Sequence, residues 1–130
     1  LGMGEYALEL ALDYAKERPA FGGTLSDFQA IQHMLADMAL DMRAARLVAL
    51  DAAWRFDQGE HRRDLCSMAK LLCSEAANRT ADKAVQIYGG AGYVRGQAVE
   101  RIFRDVRVTR IYEGASEVQR NTIARQLLRD

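Results

Sequence analysis

The sequence predicts an all-α fold: an up-down bundle of four-helix type with a short extra N-terminal or C-terminal helix. Two observations carry this. Alanine occurs 21 times and leucine 14 times in 130 residues, against 16 for Val, Ile and Thr together, and the only proline is Pro19, so good helix formers dominate. The ten glycines cluster at 2 and 4, 22–23, 59, 89–96 and 114, which reads as punctuation between stretches of 3.6-residue periodicity. No strand-like alternation, internal repeat or low-complexity tract persists.

The first helix is expected from Met3 to Glu17, with Leu8, Leu12 and Ala15 inward, widened by Leu1, Ala11 and Tyr14. Pro19 and Gly22-Gly23 end it. The second spans Leu25 to Gln58, opened by Thr24 with Asp27 three residues on, a variant capping box. Its stripe is Phe28, Ile31, Leu35, Met38, Met42, Ala45, Ala49, Ala52 and Phe56, and its length is on the order of 50 Å. Gly59 breaks the pattern. The third spans Asp64 to Tyr88 with Leu65, Met68, Leu72, Ala76, Ala84 and Ile87 inward, and Gly89-Gly90 stop it. A loop through Gly96 leads to a helix over Ala98–Val108 with Val99, Ile102, Phe103 and Val106 inward. A last helix starts at Ser116 as N-cap, with Gln119 three residues on, and carries Val118, Ile123, Leu127 and Leu128.

Composition bounds the function. Hydrophobic residues make up 49% and charged residues 28%, the balance of a soluble globular domain. A chain of this length buries roughly two-thirds of its unfolded surface, enough for one core. Lys+Arg and Asp+Glu both number 18, so no net charge draws the chain to nucleic acid or an anionic membrane. No apolar run reaches the ~20 residues of a membrane span. Cys66 and Cys73, seven apart, are too far for a bridge on one straight helix and read as reduced core thiols in a reducing compartment.

No metal site is expected: no Glu-x-x-His recurs, and His33 and His61 have no partner at zinc spacing. The run from Gly89 to Gly96 follows a helix rather than a strand, so it is not a dinucleotide fingerprint. It is either a helix C-cap with a tight loop, or bare backbone that lets a ligand or another chain approach closely. Arginine outnumbers lysine fifteen to three. Arg95, Arg101, Arg104, Arg107 and Arg110 read as a solvated or subunit-facing stripe. Arg18 follows a helix at a turn before Pro19, Phe21 and Gly22 where backbone amides are expected to be free, and one guanidinium there could clamp a phosphate. Glu113 sits between Tyr112 and Gly114 just before a helix start. It is either a loop acid favoured by that N-terminus or a carboxylate on a hinge, walled by Tyr112 and Ile111. The second placement would raise its pKa towards that of a general base.

Four blocks carry a resemblance. Arg18-Pro19-Ala20-Phe21-Gly22, Phe28-Gln29-x-Ile31-Gln32, Gln86-Ile87-Tyr88-Gly89-Gly90-x-Gly92-Tyr93 and Ile111-Tyr112-Glu113-Gly114-Ala115-Ser116-Glu117-Val118-Gln119 resemble the acyl-CoA dehydrogenase family in order and spacing, over essentially the whole chain. The resemblance corresponds to that family's C-terminal helical domain, so residues 1–130 are expected to be one such domain, without the family's N-terminal α and middle β domains. It implies an FAD enzyme of fatty acid metabolism that oxidises an acyl-CoA to its 2,3-enoyl-CoA and passes electrons to an electron-transfer flavoprotein. It also implies a homo-oligomer, a dimer or tetramer, in a bacterial cytoplasm or a mitochondrial matrix.

Roles follow by resemblance. Glu113 matches the base that removes the α-proton while the β-hydride leaves for flavin N5. Tyr112 and Gly114 match positions beside the thioester, and Arg125 an arginine near the CoA moiety. Arg18, Phe21 and Gln29, with Gln86, Ile87, Tyr88, Gly89 and Gly90, match contacts to the FAD of a neighbouring subunit. Ala115, Ser116 and Glu117 match a stretch touching the chain's own FAD. Family members often carry Thr or Ser at the position of Ala20 and Thr at that of Ala115, so two hydroxyls are absent here. The isolated chain is expected to be catalytically silent. The competing readings are a non-catalytic oligomerisation module and a related flavoenzyme that is oxidase-like or acts on a non-CoA substrate.

Overall fold

A computed structural model describes residues 1–129. Five α-helices carry the fold: α1 (Gly2–Glu17), α2 (Gln29–Asp57), α3 (Arg63–Tyr88), α4 (Ala98–Arg107) and α5 (Ser116–Leu127). The all-α expectation holds, with one addition. Pro19–Ala20 (β1) and Gly23–Thr24 (β2) pair antiparallel, Pro19 opposite Thr24 and Ala20 opposite Gly23. Phe21 and Gly22 form the turn between them, both at positive φ (48° and 91°), the backbone sign that two-residue hairpins favour.

Helix α3 is the rail of the molecule: α1, α2, α4 and α5 all pack against it. The main core joins Ala7, Ala11 and Ala15 of α1 to Met38 of α2, Ala77, Ala81, Ala84 and Ile87 of α3, and Val99, Ile102 and Val106 of α4. Met42, Ala45 and Ala76 form a smaller cluster beside it. Small side chains bring the helices close. A Cβ on Gly4 would lie 3.2 Å from the Ala77 Cα and 2.5 Å from the Met42 sulfur, so this seam admits nothing larger without displacement.

That close seam corrects the predicted face of α1. The buried line is Gly4, Ala7, Ala11 and Ala15, while Leu8 and Leu12 are only half-buried at its flank. Other stripes are trimmed. Phe56 and Phe103 are exposed, Phe56 lying edge-on to His61 with ring centroids 4.5 Å apart. In α5 only Ser116 is buried, and Val118, Leu127 and Leu128 are exposed, because α5 packs chiefly on α3. Cys66 is exposed rather than core, and Cys73 is half-buried; both are free thiols.

The second helix starts later than its stripe implied. Asp27 accepts the Thr24 N–H at 2.7 Å, so the capping pair closes a 3-10 turn over Leu25–Asp27 rather than opening a helix. Phe28 is extended (φ −89°, ψ 125°), and α2 is about 44 Å long at 1.5 Å per residue. A 3-10 turn over Gly89–Tyr93 follows α3, and another over Val108–Arg110 follows α4. Residues 108–115 then form a strap from α4 to α5. None of the helices is long and apolar enough to cross a membrane, among the described residues.

Candidate functional site

The predicted site residues fall on separate surfaces. At the C-terminal end of α3, Arg18, Phe21, Gln86, Ile87, Tyr88, Gly89 and Gly90 line one open groove of about 720 Å³, together with Tyr14, Pro19, Ala20, Leu25, Ile31 and Ala91. Two sequence-distant blocks meet here because Tyr14 and Tyr88 stack with centroids 4.0 Å apart and Tyr88 donates its hydroxyl to the Leu10 carbonyl at 3.3 Å. Burial pushes the Tyr88 phenol up, and nearby Tyr14 and Asp13 push it the same way, so it stays a neutral donor.

The groove's chemistry is bare backbone and one cation. Gly89 has φ 60°, and a Cβ on Gly89 or Gly90 would meet open space. Phe21 is 98% exposed at the turn tip and lies edge-on to Phe28, centroids 5.8 Å apart. The Arg18 amide is not free as expected: it donates to the Tyr14 carbonyl at 2.9 Å. The binding capacity is in its guanidinium, which is exposed and makes no ion pair among the described residues. Gln29, the first residue of α2, is exposed and outside this groove's lining.

Glu113 belongs to a second groove of about 300 Å³, lined by Leu1, Met3, Lys70, Cys73, Ser74, Ala77, Thr109, Tyr112 and Glu113. Its walls are mostly apolar. Tyr112 contributes as expected. Ile111 does not: it faces a small depression of about 130 Å³ with Arg107, Arg110, Ala115, Ser116 and Glu117. Burial pushes the Cys73 thiol up, and the thiol donates to the Ala45 carbonyl at 3.6 Å. Both favour the thiol over the nucleophilic thiolate. Arg125 lies in another cleft with Arg63, Asp64, Thr122, Gln126 and Arg129.

The backbone at position 113 is unusual. Among the described residues, Phe21 and Glu113 are the non-glycine residues with positive φ, Glu113 at 53° and Gly114 following at 90°. Such conformations persist only where the surroundings enforce them. The strap is tied to α3 at several points. Asn78 donates to the Val106 carbonyl at 2.8 Å and to the Thr109 hydroxyl at 3.3 Å. Glu75 Oε1 accepts from the Ser116 hydroxyl at 2.7 Å and from Arg110 at 3.0 Å. Burial pushes the Glu75 carboxyl up, but Ser116, Arg110 and Arg120 together hold it below the usual glutamate range. Lys70 Nζ donates to the Gly114 carbonyl at 2.6 Å, and Gln119 donates to the carbonyls of Glu113 (3.0 Å) and Gly114 (3.2 Å).

These ties correct the expected cap. Ala115 occupies the N-cap position of α5 without a side-chain bond; Ser116 is the first helical residue and serves Glu75, while Gln119 holds the strap. Lys70, Glu75, Asn78 and the strap function of Gln119 carried no sequence signal. Their partners are 44, 41 and 28 residues away for the three α3 side chains.

The profile of the family described as acyl-CoA dehydrogenase, C-terminal domain, matches residues 1–128. A probable acyl-CoA dehydrogenase of Bacillus subtilis is 47% identical over 129 residues, covering 99% of this chain and 34% of the relative. Butyryl-CoA dehydrogenase from Megasphaera elsdenii superposes with a TM-score of 0.95 at 40% identity, over 98% of this chain and 33% of that one. The FAD complex of PigA superposes with a TM-score of 0.93 at 34% identity, over 98% of this chain and 33% of that one. The chain thus spans about a third of the length of the relatives it matches. It belongs to the acyl-CoA dehydrogenase family and matches that family's C-terminal domain.

Proposed function

We propose that residues 1–130 are the base-bearing domain of an FAD-dependent acyl-CoA dehydrogenase that converts an acyl-CoA to its 2,3-enoyl-CoA. The observation that carries this reading is Glu113: a carboxylate at positive φ, on a strap tied to a neighbouring helix, at the edge of an apolar groove. A thioester α-proton is a weak acid in water. A carboxylate removes it only when aimed at the carbon and shielded by the bound substrate.

In this reading one Glu113 carboxylate oxygen takes the proton from Cα. Tyr112 and the apolar side chains of the groove keep water from the reacting carbons, and Tyr112 and Gly114 flank the thioester. Arg125 holds part of the CoA moiety. FAD, when bound, supplies the acceptor for the hydride that leaves Cβ. The residues present fit such a group. Arg18 offers an exposed planar guanidinium to a diphosphate, and Gly89 and Gly90 leave a strip of backbone without side chains in the same groove. Arg18, Phe21, Gln29 and Gln86–Gly90 are assigned to the FAD of a neighbouring subunit, and Ala115, Ser116 and Glu117 to the chain's own. That division requires a homo-oligomer, and the separate placement of the two residue sets supports it. An electron-transfer flavoprotein is the proposed acceptor. The 130-residue chain alone is proposed to be inactive.

The test is Glu113→Gln in the full-length dehydrogenase carrying this domain. Loss of a general base lowers turnover by about 10²- to 10⁴-fold, with the flavin spectrum and oligomer unchanged. A second reading, a non-catalytic oligomerisation module, is favoured by Leu40, Leu47, Leu50 and Trp54, all exposed along α2. Undiminished turnover in Glu113→Gln would sink the catalytic assignment and leave that one.

A further inference from the structure

We infer that Lys70 is a positioning residue for Glu113: its ammonium holds the Gly114 carbonyl and thereby fixes the strap so that the Glu113 side chain lines the apolar groove. The inference rests on the reading of Glu113 as the proton acceptor.

The geometry singles Lys70 out among the ties of the strap. Asn78 and Glu75 hold its two ends, at Val106–Thr109 and at Arg110 and Ser116. Only Lys70 and Gln119 reach the two residues at positive φ, among the described residues. Gln119 belongs to α5 and moves with the hinge it bonds. Lys70 belongs to α3 and ties the hinge to the rail of the fold.

The bond is unusual for a lysine. Lys70 is half-buried and makes no ion pair with a carboxylate among the described residues, whereas Lys83 pairs with Asp37 at 2.8 Å. Its partner is a neutral backbone oxygen at 2.6 Å, 44 residues away. A charge-assisted bond of that length is directional and strong. It also places the long side chain along the wall of the groove that Glu113 edges. Gly114 completes the device: a Cβ there would collide with the Gln119 amide, so glycine is needed for both the backbone sign and the clamp.

A bond to the backbone one residue beyond the base changes aim, not chemistry. Its loss should slow the proton-transfer step and leave substrate affinity largely alone, because a base displaced by about 1 Å costs on the order of 100-fold in rate. In the full-length dehydrogenase, Lys70→Met is expected to lower kcat about 10- to 100-fold with KM little changed. The isotope effect on turnover of C2-deuterated acyl-CoA should rise as proton removal becomes limiting. Lys70→Arg, which keeps the charge and a donor, should restore most of the rate. Lys70→Leu, which likewise lacks a donor, serves if Lys70→Met does not fold, and should show the same rise. Wild-type kcat and isotope effect in a folded Lys70→Met or Lys70→Leu protein would overturn the inference while leaving the role of Glu113 intact. Turnover surviving Glu113→Gln would instead remove the base reading and the inference with it.

Discussion

The two grooves are built by opposite means. The groove at the end of α3 presents bare backbone: a two-residue turn at Phe21-Gly22, a C-cap at Gly89 and exposed Gly90, beside the exposed Arg18 guanidinium. The strap that brings Glu113 to the second groove is held by side chains: Lys70, Glu75 and Asn78 reach it across the fold from α3, and Gln119 clamps it from the adjoining α5. A surface that receives a large cofactor needs open space and a fixed charge. A surface that aims one carboxylate needs over-determination.

If that contrast is right, the first groove should fail through affinity and the second through rate. Arg18→Met removes the guanidinium that lines the α3-end groove. Hydrogen bonds to charged groups are worth about 1.5–3 kcal/mol, so FAD should bind the full-length apoprotein about 10- to 100-fold more weakly. Once the flavin is saturating, kcat should recover. Titration of apoprotein with FAD, followed by turnover at saturation, checks both halves. Unchanged affinity would detach Arg18 from the cofactor.

Gly114→Ala attacks the second groove at its backbone. With φ at 90° and the Gln119 amide in the way of a Cβ, the substitution should cost about 1–3 kcal/mol of stability. It should also lower kcat without weakening FAD binding. Gly59→Ala is the control. Its φ is also positive, at 88°, but a Cβ there meets nothing, so it should cost about 1 kcal/mol, from backbone strain alone. Denaturant unfolding of the two variants in parallel reads the difference. Equal losses would mean that the Gln119 clamp adds nothing to the backbone preference.

The same contrast explains what the sequence could disclose. Arg18 to Gly22 and Gln86 to Gly90 were legible locally, as breakers and exposed backbone, but that they share one groove was not, because the Tyr14–Tyr88 stack between α1 and α3 decides it. So were the helix starts at Ala98 and Ser116 and the stop after Tyr88. Glu113 was legible as a residue, but the device that holds it was not. Lys70 sits within a helical stripe and gives no hint of a carbonyl 44 residues on. The α1 seam failed for a related reason. Leu8–Leu12 and Ala7–Ala11 both have helical spacing, and only the approach of α3 decides that the smaller pair goes inside. Ser116 and Gln119 matched a cap by spacing, yet Glu75 and the strap carbonyls compete for the same groups and win.

The smallest expected effect concerns acid. Glu75 ties the strap to α3 through Ser116 and Arg110, and its folded-state pKa lies below the ordinary glutamate value of 4.5. A depressed carboxylate contributes stability that is fully present above the unfolded pKa and is lost as pH falls through the folded one. Between pH 7 and 5 the contribution is therefore constant, and below about 4.5 it declines. Glu75→Gln keeps the shape and an acceptor for Ser116 but cannot titrate. Its stability deficit should be on the order of 1 kcal/mol at neutral pH and should shrink as the wild type is acidified towards pH 3. Unfolding curves of both proteins across that range measure the slope directly. A deficit that stays constant through acid would mean that the Glu75 charge is not what holds the strap, and the over-determination of Glu113 would then rest on Lys70, Asn78 and Gln119 alone.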